Sequence, residues 1–314
     1  MDKKKKIFLA GHRGLVGNAI LEELKFKGYN NVLLRSKKQL DLTNQSKVHN
    51  FFKKNKIDYI IVAAAKVGGI FANQNTPAEF IYQNLMIQCN IIQAAHQNNI
   101  DDILILGSSC IYPKHCKQPM KEDYLLTGKL EPTNQSYALA KIAGIEMCKS
   151  YNNQYKRNYR CLMPPNLYGG NDNFDLKTSH FYPAIIKKLF DAKLRKKNYI
   201  KLWGTGNAKR ELMYVEDVAK AVVFFLETKT TEYLINVGNK TDHTIKYYAD
   251  FLRKIIYPKC KIIFDNTKSD GTPRKLLNPD IAKKYGWKPQ INLSEGTLKT
   301  IEEYKKRFKI LNYD

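Results

Sequence analysis

No apolar run in the 314 residues is long enough to span a bilayer, and there is no CxxC pair, no histidine cluster with metal spacing and no internal repeat. These absences argue against a membrane-spanning helix, a structural zinc site, a redox CxxC motif and a solenoid. Acidic residues are scarce, 29 against 53 lysines and arginines, which leaves a formal charge of +24. The lysines are scattered along the chain and not interleaved with aromatics, so the charge reads as a solvated basic surface that attracts an anionic ligand, with no nucleic-acid partner expected. The six cysteines (Cys89, Cys110, Cys116, Cys148, Cys161 and Cys260) read as reduced thiols. After the basic opening "MDKKKK", the apolar run is too short for a signal peptide. A soluble cytoplasmic protein with no membrane association is expected.

What is present is alternation. Apolar runs "KKIFLAG", "NVLLRS", "DYIIVAAA" and "ILILGSS" read as strands. Between them "LVGNAILEELKFKG", "TNQSKVHNFFKKN" (opening on a cap-like Thr43) and "PAEFIYQNLMIQCNIIQAAHQNN" carry helical spacing. "YALAKIAGIEMCKSYNNQY" reads as a further helix and "YRCLMPPNLYG" as a strand running into a loop. The pattern predicts an α/β fold, a Rossmann-type doubly wound parallel sheet. Beyond Tyr168 it loosens: a turn-rich loop "GGNDNFDLKTSH", short strands "YIKLWGTG" and "YLINVGN" with a helix "VEDVAKAVVFFLET" between them, then a tail with one more helix, a strand "KIIF", a loop "SDGTPRKLL" and a last amphipathic helix. This predicts a smaller interleaved lobe. Residues 1–165 with a return at about 210–237 form the dinucleotide-binding domain, and 166–209 with 238–314 form the substrate lobe.

Gly11-His12-Arg13-Gly14-Leu15-Val16-Gly17 joins the first strand to the first helix. Glycines there let the backbone approach a pyrophosphate at the helix N-terminus. The Gly-x-x-Gly-x-x-Gly spacing is typical of short-chain dehydrogenases. Where an NAD site places an acid after strand two, this chain has Arg35, Lys37 and Lys38, with Arg13 in the loop, which favours the 2′-phosphate of NADP. Asp41 stands where it would meet the adenine edge or cap the turn before Thr43.

Tyr137 and Lys141 are one helical turn apart and share a face. A neighbouring ammonium is expected to lower the phenol's pKa, which suits proton transfer at a carbonyl accepting hydride. In "LGSSCIYP" a serine at the strand end, Ser108 or Ser109, would polarise the same oxygen. The thiol of Cys110 has no task in such a reductase. It fits a C–H proton transfer, paired with an acid on the opposite face, for which His180 in "KTSHFYP" is the candidate. The same two residues also fit a core cysteine and a loop histidine.

Motifs along almost the whole chain, above all "GSSCIYP" with "EPTNQSYALAKIAG", and also "AGHRGLVG", "LWGTG", "RELMYVEDVA" and "DGTPRKLL", resemble the GDP-L-fucose synthase family of extended short-chain dehydrogenases. The resemblance implies epimerisation of GDP-4-keto-6-deoxy-D-mannose at C3 and C5, then NADPH reduction at C4. It implies Ser108, Tyr137 and Lys141 for reduction, Cys110 as epimerisation base and His180 as acid. NADP contacts are implied at Gly11–Gly17, Arg35, Asp41, Leu42, Leu106, Gly107, Ser108, Ser109, Lys141, Pro164, Pro165, Asn166, Leu167 and His180. Lys188, Trp203, Arg210 and Asp270 are implied for the GDP-sugar, with the two cations on its diphosphate. The family is usually a homodimer through two long helices, here near 79–97 and 135–153. Pro165 departs from the family's usual threonine and removes a hydroxyl and an N–H. Two rival readings are a GDP-L-colitose synthase, which shares most of these motifs, and a non-catalytic nucleotide- or RNA-binding protein, against which the intact Ser108, Tyr137 and Lys141 stand.

Overall fold

The computed structural model describes residues 2–310. Chain order begins β1 (Ile7–Ala10), α1 (Leu15–Phe26), β2 (Val32–Leu34), α2 (Gln45–Lys54), β3 (Tyr59–Val62), α3 (Ile70–Asn75), α4 (Pro77–Gln97), β4 (Asp102–Leu106), α5 (Gln135–Tyr155) and β5 (Asn158–Met163). It continues with β6 (Asn166–Tyr168), α6 (Phe181–Leu194), β7 (Tyr199–Trp203), β8 (Lys209–Tyr214), α7 (Val215–Glu227) and β9 (Leu234–Asn236). The tail holds β10 (Asp242–Thr244), α8 (Ile245–Ile256), β11 (Lys261–Asp265), β12 (Arg274–Lys275), α9 (Asp280–Lys284) and α10 (Leu293–Arg307).

Six strands form one parallel sheet in the order β2-β1-β3-β4-β5-β9. The central strands β1, β3 and β4 are nearly continuous apolar runs because both faces are covered, and alternate residues supply the two layers, while β5 carries a buried Arg160 that reaches Asp102 and the Thr228 carbonyl. Phe8, Ile60, Ile103 and Ile105 pack on the side of α2, α4 and α5. Ile7, Leu9, Ile61, Leu104 and Leu162 pack on the side of α1 and α7. Each such side chain contributes about 1.5–3 kcal/mol of burial.

Pro164 and Pro165 interrupt pairing between β5 and β6, and the chain then leaves the main sheet. In the lobe, β8 pairs with β6, β10 and β12, while β7 pairs with β11. A third, aromatic-rich core sits around α6, α8 and α10, with Tyr168, Tyr182, Phe190, Tyr248 and Tyr304. The chain returns through α7 and β9, whose Val237 N–H extends the pairing to Met163 O.

Several expectations shift locally. Thr43 is not a helix cap: α2 is capped by Asn44, whose side chain accepts from the Lys47 N–H at 2.9 Å. The fourteen-residue α6 and strand β8 are absent from the sequence reading. α6 follows a turn-rich loop directly and carries Pro183 in its first turn, where proline is tolerated. "SDGTPRKLL" is not wholly loop, since Arg274–Lys275 form β12 beside β8.

Candidate active site

The first loop has the shape a dinucleotide requires. Gly11 has φ +90°, and a Cβ there would lie 2.6 Å from Ala64 N. A Cβ on Gly17 would overlap the Gly11 carbonyl, whereas Gly14 faces open space apart from that oxygen at 3.6 Å. No side chain caps α1, and its first turn holds no acid. The buried His12 Nδ1 has no hydrogen-bond partner. A pyrophosphate fits this close, uncapped, positive helix end, so Gly11–Gly17 would hold it.

At the end of β2, Arg35 donates to Leu34 O at 2.7 Å, with Lys37 and Lys38 exposed beside it. Asp41 accepts from the Thr43 N–H (3.0 Å) and hydroxyl (2.8 Å), which holds its carboxyl below the usual range. Leu42 O accepts from Asn90 Nδ2 at 2.8 Å. On the next strands, Gly107 lies so close to Met163 that a Cβ would overlap its thioether. Pro164 and Pro165 are buried, and Asn166 and Leu167 half-buried, at the mouth of β5.

Ser108 and Tyr137 come together, and Ser109 does not join them. Ser108 caps a short turn, accepting from the Cys110 N–H at 3.3 Å, and its hydroxyl stands close enough to the Tyr137 phenol to pull that pKa down. Ser109 is buried. Lys141, 3% exposed, donates to Leu106 O at 2.8 Å, and its Nζ lies 5.9 Å from the Tyr137 ring centre. The expected lowering of the phenol is not found. Burial first, and then the Cys110 charge, raise the Tyr137 pKa, with the Ser108 hydroxyl opposing. Lys141 is turned to the Leu106 carbonyl, and burial brings its own pKa down to about 8. The phenol is therefore a proton donor as it stands.

Cys110 is no core cysteine. Its Sγ accepts from Asn134 Nδ2 and from Lys275 Nζ, each at 3.1 Å. Burial alone would push the thiol up. The Lys275 charge, the Ser108 hydroxyl and the more distant Arg210 together outweigh it and hold the thiol below its usual pKa. Lys275 and Arg210 are register partners on β12 and β8, so two cations stand side by side facing the sulfur.

His180 precedes α6 at its N-cap position. It keeps solvent contact at the cleft mouth, yet is crowded enough that burial, then the Lys275 charge, push its imidazole below the ordinary range. Gly69 N–H donates to Thr178 O at 3.1 Å, tying the loop that bears His180 to the segment before α3.

The four substrate candidates lie on the lobe. Lys188 donates to Lys201 O at 2.6 Å, two residues before Trp203, which is 49% exposed and edge-on to Phe71. Arg210 Nη2 donates to Asp270 O at 3.2 Å. The Asp270 carboxylate accepts from Thr205 N–H and hydroxyl at 2.8 and 2.7 Å, so it shapes the loop. Lys275 and Asn134 are what sequence reasoning missed. Both stand inside quoted motifs, but nothing in the linear chain says that residues 165 positions apart meet at one sulfur.

Fold and site define the class: an NADP-dependent oxidoreductase of the extended short-chain type. The chain belongs to the NAD dependent epimerase/dehydratase family, whose model matches residues 7–238. It is 46% identical over 308 residues to the GDP-L-fucose synthase of Escherichia coli (strain K12), covering 95% of this chain and 96% of that one. It is 40% identical over 301 residues to the GDP-L-colitose synthase of Yersinia pseudotuberculosis, covering 95% and 97%. A GDP-mannoheptose C4 reductase from Campylobacter jejuni, solved with NADP bound, superposes with a TM-score of 0.87 at 35% identity, covering 97% of this chain and 99% of that one.

Proposed function

We propose that the chain is a two-step GDP-sugar enzyme that epimerises GDP-4-keto-6-deoxy-D-mannose at C3 and C5 and then reduces C4, releasing GDP-L-fucose. The observation that carries this is the Cys110 sulfur held between Asn134 and Lys275 at 3.1 Å, beside a complete Ser108–Tyr137–Lys141 group. A reductase alone has no use for a thiol kept below its ordinary pKa.

Cys110 takes the proton from the carbon next to the ketone, and His180 delivers one to the opposite face. Lys275 and Arg210 stabilise the thiolate before the step and the developing oxyanion during it. Ser108 then orients the C4 oxygen, and Tyr137 protonates it. Lys141 holds the strand end at Leu106. Bound NADPH supplies the hydride. Gly11–Gly17, Arg35, Asp41, Leu42, Leu106–Ser109, Lys141, Pro164–Leu167 and His180 are its contacts in this reading. Lys188 and Arg210 meet the diphosphate, and Trp203 and Asp270 border the substrate.

The expected division, residues 1–165 with about 210–237 for the cofactor and 166–209 with 238–314 for the sugar, is kept in this reading with one change: β8 (Lys209–Tyr214), at the head of the return, goes to the sugar side by its pairing with β6, β10 and β12. α4 and α5 pack together and leave Tyr82, Leu139 and Tyr155 exposed, which suits a homodimer through these helices. Sedimentation tests that state. Among the described residues no helix is long and apolar enough to cross a membrane. The six free thiols fit a reducing cytoplasm.

The test is incubation with GDP-4-keto-6-deoxy-D-mannose and NADPH. GDP-L-fucose as product supports the assignment, and no NADPH oxidation refutes it. A competing GDP-L-colitose synthase reading rests on the 40% identical relative. Faster turnover of the 3-deoxy substrate would favour it.

A further inference from the structure

Glu211 is 1% exposed and stands next to Arg210 on β8. One carboxylate oxygen accepts from the N–H groups of Asn239 and Lys240, the latter at 2.9 Å. The other accepts from the Leu277 N–H at 2.8 Å. Successive strand residues face opposite ways, so Arg210 is turned to the cleft and Glu211 away from it.

Leu277 is two residues beyond Lys275. The β12 ladder with β8 covers only Arg274 and Lys275, and it stops just before this point. Glu211 continues the attachment where the ladder ends. On the far side the same segment is tied to residues 118–120: Leu276 N–H donates to Gln118 Oε1, and Met120 N–H to Leu276 O at 2.7 Å. The backbone that carries Lys275 is thus clamped from both sides.

A carboxylate is costly to bury, and burial raises the Glu211 pKa to about 7. Its shape explains why one stands here. It must accept at both oxygens, and a glutamine could satisfy only one end and would turn an N–H₂ against the other.

We infer that Glu211 is a positioning residue for the thiol half of the site: it fixes the backbone that sets Lys275 against the Cys110 sulfur. The inference rests on the epimerase reading of Cys110, but its test needs no sugar, so the two can fail separately.

The test is the pH dependence of Cys110 alkylation by iodoacetamide, followed at the level of the Cys110 peptide in the whole protein. Two effects of Glu211→Gln have opposite signs. Deleting a negative charge would lower the thiol midpoint or leave it unmoved, whereas releasing Lys275 would raise it. The expected result is a rise of about one unit, read as about tenfold slower alkylation at pH 7. Glu211→Asp keeps the charge but draws it back by one methylene, and should raise the midpoint as well. Lys275→Ala should raise it alone, and adding Glu211→Gln to Lys275→Ala should change nothing more. An unmoved or lowered midpoint in either folded variant overturns the inference. So does failure of both variants to fold, which would assign Glu211 to stability alone.

Discussion

Ser108, Tyr137 and Lys141 come from the end of one strand and the helix that follows it. Cys110 sits two residues from Ser108, yet its partners arrive from residues 134, 210 and 275, and its proposed acid from residue 180. The first group is fixed by a single β-α unit of the main sheet, with Lys141 bonded to the strand carbonyl at Leu106. The second exists only once the lobe strands β8 and β12 are paired and laid against the sheet. Proton transfer to an oxygen needs one donor well placed. Inverting a carbon needs groups on two faces, and the second face has to come from a second structural unit.

Removing the phenol should separate the two halves most sharply. Tyr137→Phe should lower NADPH oxidation on the order of a hundredfold to ten-thousandfold, the usual scale for a positioned acid. Solvent deuterium should still enter C3 and C5 of the keto sugar, because the cysteine half is intact. Equal loss of exchange and reduction would break the division.

The converse variant has a smaller expected effect on the overall fold and a large one on exchange. Cys110→Ser keeps the hydrogen-bonding capacity toward Asn134 and Lys275 but raises the proton affinity of the base far out of reach. Deuterium incorporation should fall at least about a hundredfold. NADPH binding should be unchanged. Because the wild-type thiol lies below its usual range, exchange in the wild type should persist to lower pH than a free thiol would allow. Full exchange in the serine variant would return Cys110 to a packing role.

The same contrast explains what the sequence could reveal. The parallel sheet was legible because strands buried on both faces are apolar throughout, as in "IFLA" and "ILIL". The glycine loop and the Tyr137–Lys141 pair were legible because their spacing is local. α6 was not, since its start follows a turn-rich loop and no separate breaker marks it. β12 is two residues long and exists only through pairing with β8, so no window of sequence announces it. The phenol's raised pKa was hidden for a related reason: spacing put Lys141 on the same face, but burial and the turn of its ammonium to Leu106 decide the outcome.

Cofactor choice tests a feature of the first half alone. Arg35 and its exposed neighbours Lys37 and Lys38 follow β2 with no acid among them. Arg35→Asp should erode the preference for NADPH over NADH by roughly tenfold, the loss of about one charge-assisted contact. It should leave Cys110 alkylation untouched. An unchanged ratio would mean that the 2′-phosphate is held elsewhere.

The smallest expected effect concerns stability in the loop that delivers His180. Asp172 is 6% exposed, one of its oxygens accepts from the Asn173 N–H at 2.7 Å, and the other has no partner. Burial raises its pKa to about 7, against the Asn173 bond and the Arg307 charge, which lower it. A folded-state pKa above the unfolded value means that the folded protein holds more protons between about pH 4 and pH 7. Its contribution to stability is therefore complete below the unfolded pKa and is lost as pH rises through about 7. Asp172→Asn keeps the shape and one acceptor but never ionises. It should leave thermal stability nearly unchanged below about pH 4, raise it progressively as pH climbs from there to about 7, and hold the gain level at pH 8, on the order of a few kcal/mol. The loop's anchors, Arg307 to Asp172 O at 2.8 Å and Phe174 against Tyr304, do not involve the carboxyl, so His180 should stay in place and exchange should persist. A gain of equal size at pH 5 and pH 8 would show that the carboxyl ionises in the folded protein as it does in the unfolded chain, so that its pKa is not raised. A loss of stability at pH 8 would show that its charge is compensated in the folded protein and that this loop is no weaker than the sheet it faces.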